Sequence, residues 1–192
     1  MIPSAALLLA VTGVLDPSPP TRGAFEVSLL LGPSYVFGTP LPNAISDQRV
    51  AMGGAVAVFY RSRYFLTPFV DVGYGLLSQG SARVAEFEPG GPGVISNTLD
   101  AWHFSAGVAI DVWRLRLRAG AAVYRFGVAS SFAGVDASTS DVSVGSVLGV
   151  SASVFRARRF HLGLDFMAHN APQANVHYLR FGLSIHQDVF SF

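Results

Sequence analysis

The sequence predicts an all-β fold, an eight-stranded antiparallel up-and-down transmembrane β-barrel. Apolar residues alternate with small or polar ones in eight runs from Ala24 onward, which is the period of a strand. Only 13% of the 192 residues are charged, about half of the roughly 25% usual in soluble domains. The segments that join the runs alternate between short and long, which is typical of bacterial outer-membrane barrels.

The N-terminal segment is expected to lie outside the barrel. An apolar core, Ala5 to Val11, is followed by a Pro-rich break at residues 16–20. A stretch this short is typical of a signal peptide and cannot form a transmembrane helix. It lacks a basic residue before the core and a clear cleavage site, so an uncleaved apolar arm is the alternative. We expect an export signal or apolar arm over 1–23 and the barrel over 24–192.

The first four runs each place bulky side chains on one face of a strand. These sets are Phe25, Val27, Leu29 and Leu31; Val50, Met52, Val56, Val58 and Tyr60; Leu66, Pro68, Val70, Val72 and Tyr74; and Trp102, Phe104, Ala106, Val108, Ile110 and Val112. The positions between them hold mostly small or ionisable residues, among them Glu26 and Asp71. Each strand therefore separates two different environments.

The last four runs repeat the pattern. Their bulky sets are Leu115, Leu117, Ala119, Ala121 and Val123; Val144, Leu148, Val150, Ala152 and Val154; Phe160, Leu162, Leu164 and Phe166; and Leu179, Phe181, Leu183 and Ile185. An eight-stranded barrel has an interior only wide enough for side chains to fill. The small and charged face fits that interior, so the bulky face is left to lipid.

The connections predict which end of the barrel is which. Three are short: Tyr60 to Tyr64, Trp113-Arg114 and Phe155 to Phe160. Four are long and rich in Gly, Pro, Ser and Asn: about Phe37 to Arg49, Leu77 to Leu99, Phe126 to Asp141 and Ala168 to Val176. The short turns are expected at the periplasmic end, with both termini. Aromatic residues beside arginine at these turns predict an interfacial girdle of Tyr60, Tyr64, Trp113, Phe155 and Phe160.

The inward positions carry charges that must be neutralised inside the barrel. They are Glu26, Asp71, His103, Asp111, Arg116, Arg118, His161, Asp165 and Arg180. Because a buried charge is costly unless paired, we predict a lumenal charge network that plugs the barrel. A narrow pathway for ions or protons is the alternative. A wide pore is excluded, since it needs about 16 strands.

With this pattern, residues 24–192 resemble the small eight-stranded outer-membrane barrels of the OmpA/OmpX type. The resemblance implies location in the bacterial outer membrane, contact with its lipid and insertion by the barrel assembly machinery. Substrates of that machinery typically end in a strand with a terminal aromatic residue, which Phe192 supplies, with Phe190 two residues earlier. His186 and Asp188 interrupt the alternation there, so we expect a bulge or a short tail after Ile185.

The sequence holds no complete catalytic motif. The absence of Cys excludes thiol catalysis and Cys-based metal sites, and a net charge of +1 with scattered arginines disfavours nucleic-acid binding. The segment Phe166 to Asn170 is similar to the histidine segment of the lipid A deacylases. Those enzymes have Ser two residues after the His, where this chain has Ala171 after His169. The Gly-rich stretch 88–93 lacks the Lys and helix of a nucleotide loop.

We therefore expect a non-enzymatic outer-membrane protein with a plugged polar lumen and no cofactor or metal. Its role would be envelope-structural or surface-interacting, through four long loops. The alternatives are a lipid A-modifying barrel enzyme, a narrow ion-conducting barrel and a soluble lipocalin-like carrier. His169 and His177, which flank the last loop, are interpreted as rim residues.

Overall fold

The structure is a computed structural model that describes residues 23–37, 50–61, 66–84, 93–132, 135–157 and 160–191. Its eight strands are β1 Ala24–Phe37, β2 Val50–Arg61, β3 Leu66–Val84, β4 Gly93–Val112, β5 Leu115–Phe132, β6 Val135–Ala157, β7 Phe160–Ala171 and β8 Val176–Ser191. Consecutive strands pair antiparallel and β1 pairs with β8, so the sheet closes into a barrel. The predicted eight-stranded up-and-down fold is confirmed. The expected export segment, except Gly23, lies outside the described residues, as do Tyr64 and Phe192.

The two faces of the sheet are divided as the alternation predicts. Bulky side chains such as Leu31, Phe104 and Val108 are exposed on the outside, whereas Glu26 and Ser105 are completely buried. The same division holds in the barrel part of all eight strands, whereas residues 135–142 of β6 are exposed at every position. In the described part of the chain no helix is long and apolar enough to cross a membrane.

The tight turn between β4 and β5 defines one end of the barrel, which we call the short-turn end. Trp113 and Arg114 form a two-residue connection, and Trp113 has a positive φ of 56°. Such a conformation is common in two-residue hairpins, because it matches the twist of the strands. Both described chain ends, Ala24 and Ser191, pair with each other at this end.

Strands β3 to β6 extend far beyond the opposite end of the barrel, which corrects two of the four expected loops. The β5–β6 ladder continues to the pair Phe132↔Val135, and the β3–β4 ladder continues to Val84↔Gly93. These segments are therefore hairpins rather than the long connections expected over 77–99 and 126–141. Their sequences mix small, polar and apolar residues on both faces, so alternation did not reveal them. The fourth expected loop is also short, a 3₁₀ turn at Pro172–Ala174.

The seam between β1 and β8 is irregular at two places. Phe25 pairs with Phe190 but Glu26 pairs with Asp188, so Val189 forms a bulge that turns Phe190 outward. This is the bulge expected after Ile185. His186 lies before the bulge and points inward like Arg180 and Ser184. Pairing is also interrupted between Leu31↔Leu183 and Ser34↔Arg180, where Pro33 has no N–H to donate.

We predict that Val108→Arg impairs insertion strongly, because arginine at the lipid-facing midplane of a barrel costs about 2–4 kcal/mol. Urea titration of the protein folded into lipid vesicles measures this loss. Val94→Arg is the matched control: Val94 is exposed on the same strand, far beyond the barrel rim, where the cost falls to near zero. Equal stability of the Val108→Arg variant and the wild type would contradict the assignment of the outer face to lipid.

Candidate functional site

The inward side chains near the short-turn end form a cluster around Glu26, which we call the basal cluster. Arg116 donates to Glu26 through Nη1 at 2.5 Å and Nη2 at 3.1 Å, and its Nε donates to Asp111 at 2.6 Å. His186 Nδ1 lies 2.8 Å from Glu26 Oε1. Arg61 bridges Glu26 and Asp188, at 3.6 and 3.3 Å. The buried carboxylate is thus neutralised from several strands.

A second set of ion pairs lies beside the basal cluster, farther into the barrel. Arg118 pairs with Asp165, and its Nη2 donates to Ser151 Oγ at 2.9 Å. Ser151 also donates to Asp165. The guanidinium carbons of Arg118 and Arg116 lie 5.6 and 4.4 Å from the ring centre of Phe59, respectively. Charge neutralisation and aromatic packing therefore fill this section together.

The middle of the lumen contains two buried histidines among tyrosines. Tyr178 Oη lies 3.4 Å from His103 Nδ1, and Tyr124 Oη lies 3.3 Å from His169 Nδ1. The rings of His169 and Tyr178 stack at 4.2 Å. Ser105 donates to Asp71, whose Oδ1 lies 3.7 Å from His103 Nε2.

Arg180 is neutralised by dipoles rather than by a carboxylate. It is completely buried and donates to the backbone oxygens of Gly54 and Tyr74, at 3.3 and 3.4 Å. Gly53 and Gly75 leave the space for it, since a Cβ at these positions would lie 3.0 and 2.8 Å from Arg180 Nη2.

Apolar side chains fill the lumen above these polar layers. Val36, Leu77, Leu99, Phe126 and Val176 are buried in one cluster with the rings of the two lumenal tyrosines. This apolar layer closes the side-chain packing on the side of the long strands. From the short-turn end upward, the interior thus changes from charged to aromatic to aliphatic.

The residues predicted for the lumenal network differ in how deeply they are buried. Seven are buried: Glu26, Asp71, His103, Arg116, Arg118, Asp165 and Arg180. His161 is half-buried, and the Asp111 side chain is 41% exposed at the rim. Asp111 is corrected to a rim residue because it is the inward residue nearest to the turn.

Sequence reasoning missed several lumenal side chains. His186 shares the parity of the inward residues Arg180 and Ser184, so continuing that alternation past Ser184 would have found it. His169, expected at the rim, is buried, because β7 continues to Ala171 and keeps it on the face of Asp165 and Met167. Counting that parity two residues further would have found it.

Aromatic side chains mark two levels on the outer surface. At the short-turn end Tyr60, Phe155, Phe160 and Trp113 are exposed, the last by 73%. At the other level Tyr74 and Trp102 form a ring pair at 4.9 Å, which the sequence analysis did not single out. About ten residues of β4 separate Trp102 from the turn, or about 33 Å along the strand. With the usual tilt this corresponds to an apolar band about 25 Å tall.

The protruding part of β6 has an unpaired edge. Pairing with β7 begins at Ser146↔Asn170, so within the described residues 135–145 pair only with β5. Ser153 N donates to Arg114 O, so odd-numbered residues direct their N–H groups toward β5 and even-numbered ones toward the edge. Consistent with this, Val142 N is free of the ladder and donates to Asp141 Oδ1 at 2.8 Å. Among the described residues no strand lies beside this edge from Asp136 to Ser140, whereas the 3₁₀ turn Pro172–Ala174 packs against β6 below it.

Comparison with known proteins shows the fold and nothing narrower. No protein-family model and no curated protein sequence matches the chain. Ail, the attachment invasion locus protein of Yersinia pestis, superimposes with a TM-score of 0.60 at 12% identity over 88% of this chain and 100% of its own. A second Ail structure, in complex with the heparin analogue sucrose octasulfate, gives 0.59 at 12% identity with the same coverage. Neisserial surface protein A gives 0.53 at 15% identity, over 87% and 99%. The chain therefore has the fold of the small eight-stranded outer-membrane barrels.

We predict that Arg118→Leu destabilises the protein by about 3–5 kcal/mol, because it leaves the Asp165 carboxylate buried without its cation. The double variant Arg118→Leu, Asp165→Leu removes both charges and is expected to regain most of that loss. Urea titration of the four proteins of this cycle measures both effects. An unchanged single variant would show that water solvates Asp165.

Proposed function

We propose that the chain is a non-enzymatic outer-membrane protein with a filled lumen that binds partners through its protruding sheet. The observation that carries the proposal is the edge of β6 from Asp136 to Ser140, which no described strand pairs with and which a four-stranded sheet holds beyond the barrel. Nine residues of β4 lie beyond Trp102, so the strand continues about 30 Å along its own axis past that aromatic level. An edge at this distance is accessible from outside the cell.

The outer surface supports a membrane location. Exposed Val, Leu and Phe side chains cover the barrel between the two aromatic levels, as in barrels that face lipid. The expected partners there are outer-membrane lipid and the barrel assembly machinery. Phe190 is 65% exposed at the end of β8 and would form the assembly signal with Phe192.

The interior supports a structural lumen over a conducting one. Ion pairs, stacked rings and an aliphatic layer occupy successive levels, and ions would need all three to move aside. The packed interior therefore disfavours a narrow ion-conducting barrel, which the conductance measurement described below tests.

A lipid A-modifying enzyme is disfavoured by the position of His169. Its ring is buried between Tyr124 and Tyr178, inside the barrel. A general base must come within hydrogen-bond reach of its substrate, and an acyl chain on the lipid side cannot reach this ring.

The chemistry of the protruding sheet favours strand pairing over binding of polyanions. Asp100, Asp136 and Asp141 outnumber Arg125 among its described charged side chains, whereas a sulfated saccharide needs clustered cations. An exposed edge instead offers backbone donors and acceptors to an extended peptide, with side-chain pockets giving selectivity.

We predict that the chain is recovered with membranes, resists extraction without detergent and shows heat-modifiable mobility on gels. In planar bilayers it is expected to give no steady conductance, because the lumen is filled. Recovery as a soluble protein would favour the lipocalin-like carrier, and a stable conductance would favour the ion-conducting barrel.

We predict that peptides selected from a random library on the folded barrel lose binding when Ser138 and Ser140 are both replaced by proline. Each replacement removes an N–H group from the free edge and leaves the bonds to β5 in place. The double variant Ser138→Ala, Ser140→Ala is the control, since it keeps both N–H groups and is expected to bind normally. Selected peptides that bind all three proteins equally would place the interaction elsewhere.

A further inference from the structure

Three potential metal ligands meet in the basal cluster on adjacent strands. Glu26 of β1, His161 of β7 and His186 of β8 each offer one ligand atom, and these atoms lie within 4.8 Å of one another. Glu26 Oε1 is 2.8 Å from His186 Nδ1 and 3.9 Å from His161 Nε2. His161 and His186 are direct partners in the β7–β8 register.

The ring nitrogens of His161 are not held by a hydrogen bond to another described residue. Among the described residues His161 makes no hydrogen bond, and its ring stacks on that of His186 at 4.3 Å and 10°. Its side chain is 13% exposed, so the site can be reached from the short-turn end. His186 Nε2 lies 2.9 Å from Ser184 Oγ. Without a metal, His186 Nδ1 donates to Glu26 Oε1. Metal binding would move that proton to Nε2, where Ser184 Oγ can accept it, a common arrangement around metal sites.

One carboxylate oxygen beside the two histidines is left without a hydrogen-bond partner. It is Asp165 Oδ2, which is buried 3.7 Å from His186 Nε2. The ion pairs of the cluster join Glu26, Asp111, Asp165 and Asp188 to Arg61, Arg116 and Arg118, and Arg156 is the register partner of His161. Four carboxylates thus match four guanidinium groups, so a bound cation has to displace an arginine from its carboxylate.

We propose that Glu26, His161 and His186 bind one Zn²⁺. Two imidazoles and one carboxylate are the ligands of open zinc sites, in which water takes the fourth position. Ligand atoms of a tetrahedral zinc lie about 3.4 Å apart, so the separations of Glu26 Oε1 from the two histidine nitrogens need changes of about half an ångström. Because the two imidazole rings stack parallel, one of them must also rotate about its Cβ–Cγ bond to direct its lone pair at the ion. Arg116 must release Glu26 Oε1 and keeps Asp111 as a partner.

The bound ion would hold the closure of the barrel together. Because β1 and β8 are the first and last strands, no turn connects them, and their seam carries both the bulge and the pairing gap at Gly32–Pro33. A metal bound by β1, β7 and β8 crosses this seam close to the bulge.

The test uses untagged full-length protein folded in detergent, stripped with a chelator and titrated with Zn²⁺ in a calorimeter. We expect one Zn²⁺ per chain and a rise in the temperature at which the heat-modifiable band converts. Co²⁺ is expected to give the visible absorption bands of a tetrahedral site. His161→Ala is expected to lower Zn²⁺ affinity at least tenfold while the barrel folds normally, because His161 makes no hydrogen bond.

His177→Ala is the matched control, since His177 lies at the opposite end of the barrel on Phe37 and its loss should leave Zn²⁺ affinity unchanged. The proposal is overturned if the wild type binds no stoichiometric Zn²⁺, or if His161→Ala binds it as tightly as the wild type. If His161→Ala fails to fold, Glu26→Gln in the refolded protein decides in the same way. Zn²⁺ binding without a change in thermal conversion would overturn the role at the seam alone.

Discussion

The interior of an eight-stranded barrel has almost no room for water, and this constraint governs the rest of the structure. Every ionisable side chain that points inward must find its neutralising partner on another strand. Glu26, Arg116 and Arg118 do so through ion pairs that cross the lumen. Arg180 does so through backbone carbonyls that two glycines leave accessible. Charge neutralisation therefore depends on strand register, because two side chains can pair only when the register places them at the same height in the barrel.

The same constraint orders the lumen along its axis. Charged side chains concentrate near the short-turn end, where rim groups such as Asp111 and Asp188 remain partly in water. The histidine and tyrosine layer above them needs fewer compensating charges, and the aliphatic layer around Leu77 and Leu99 needs none. Desolvation of charge is thus least where solvent is nearest. The outer surface follows the opposite logic, since only apolar groups cover it between the aromatic levels.

The period of two was sufficient to predict the strand number, the closed topology and the outward face, because lipid and lumen impose opposite side-chain chemistry on alternate residues. It could not predict the length of β5 and β6 beyond Phe126, where both faces meet water and alternation carries no signal. It also could not predict that His186 contacts Glu26, since the register between β1 and β8 shifts by one residue at the Val189 bulge. Contacts between strands depend on register, and register is set by such local irregularities. The types of residue inside the barrel could therefore be predicted from the sequence, but the partner of each residue could not.

The Asp141 carboxylate that accepts from Val142 N has a consequence for crowded membranes. Two copies that approached edge to edge would bring Asp136 and Asp141 of each chain close to those of the other. Like-charge repulsion of this kind is a known protection against self-association of exposed strands. Pairing of two such edges with each other is therefore opposed, and an incoming strand has to displace the Asp141 carboxylate from Val142 N.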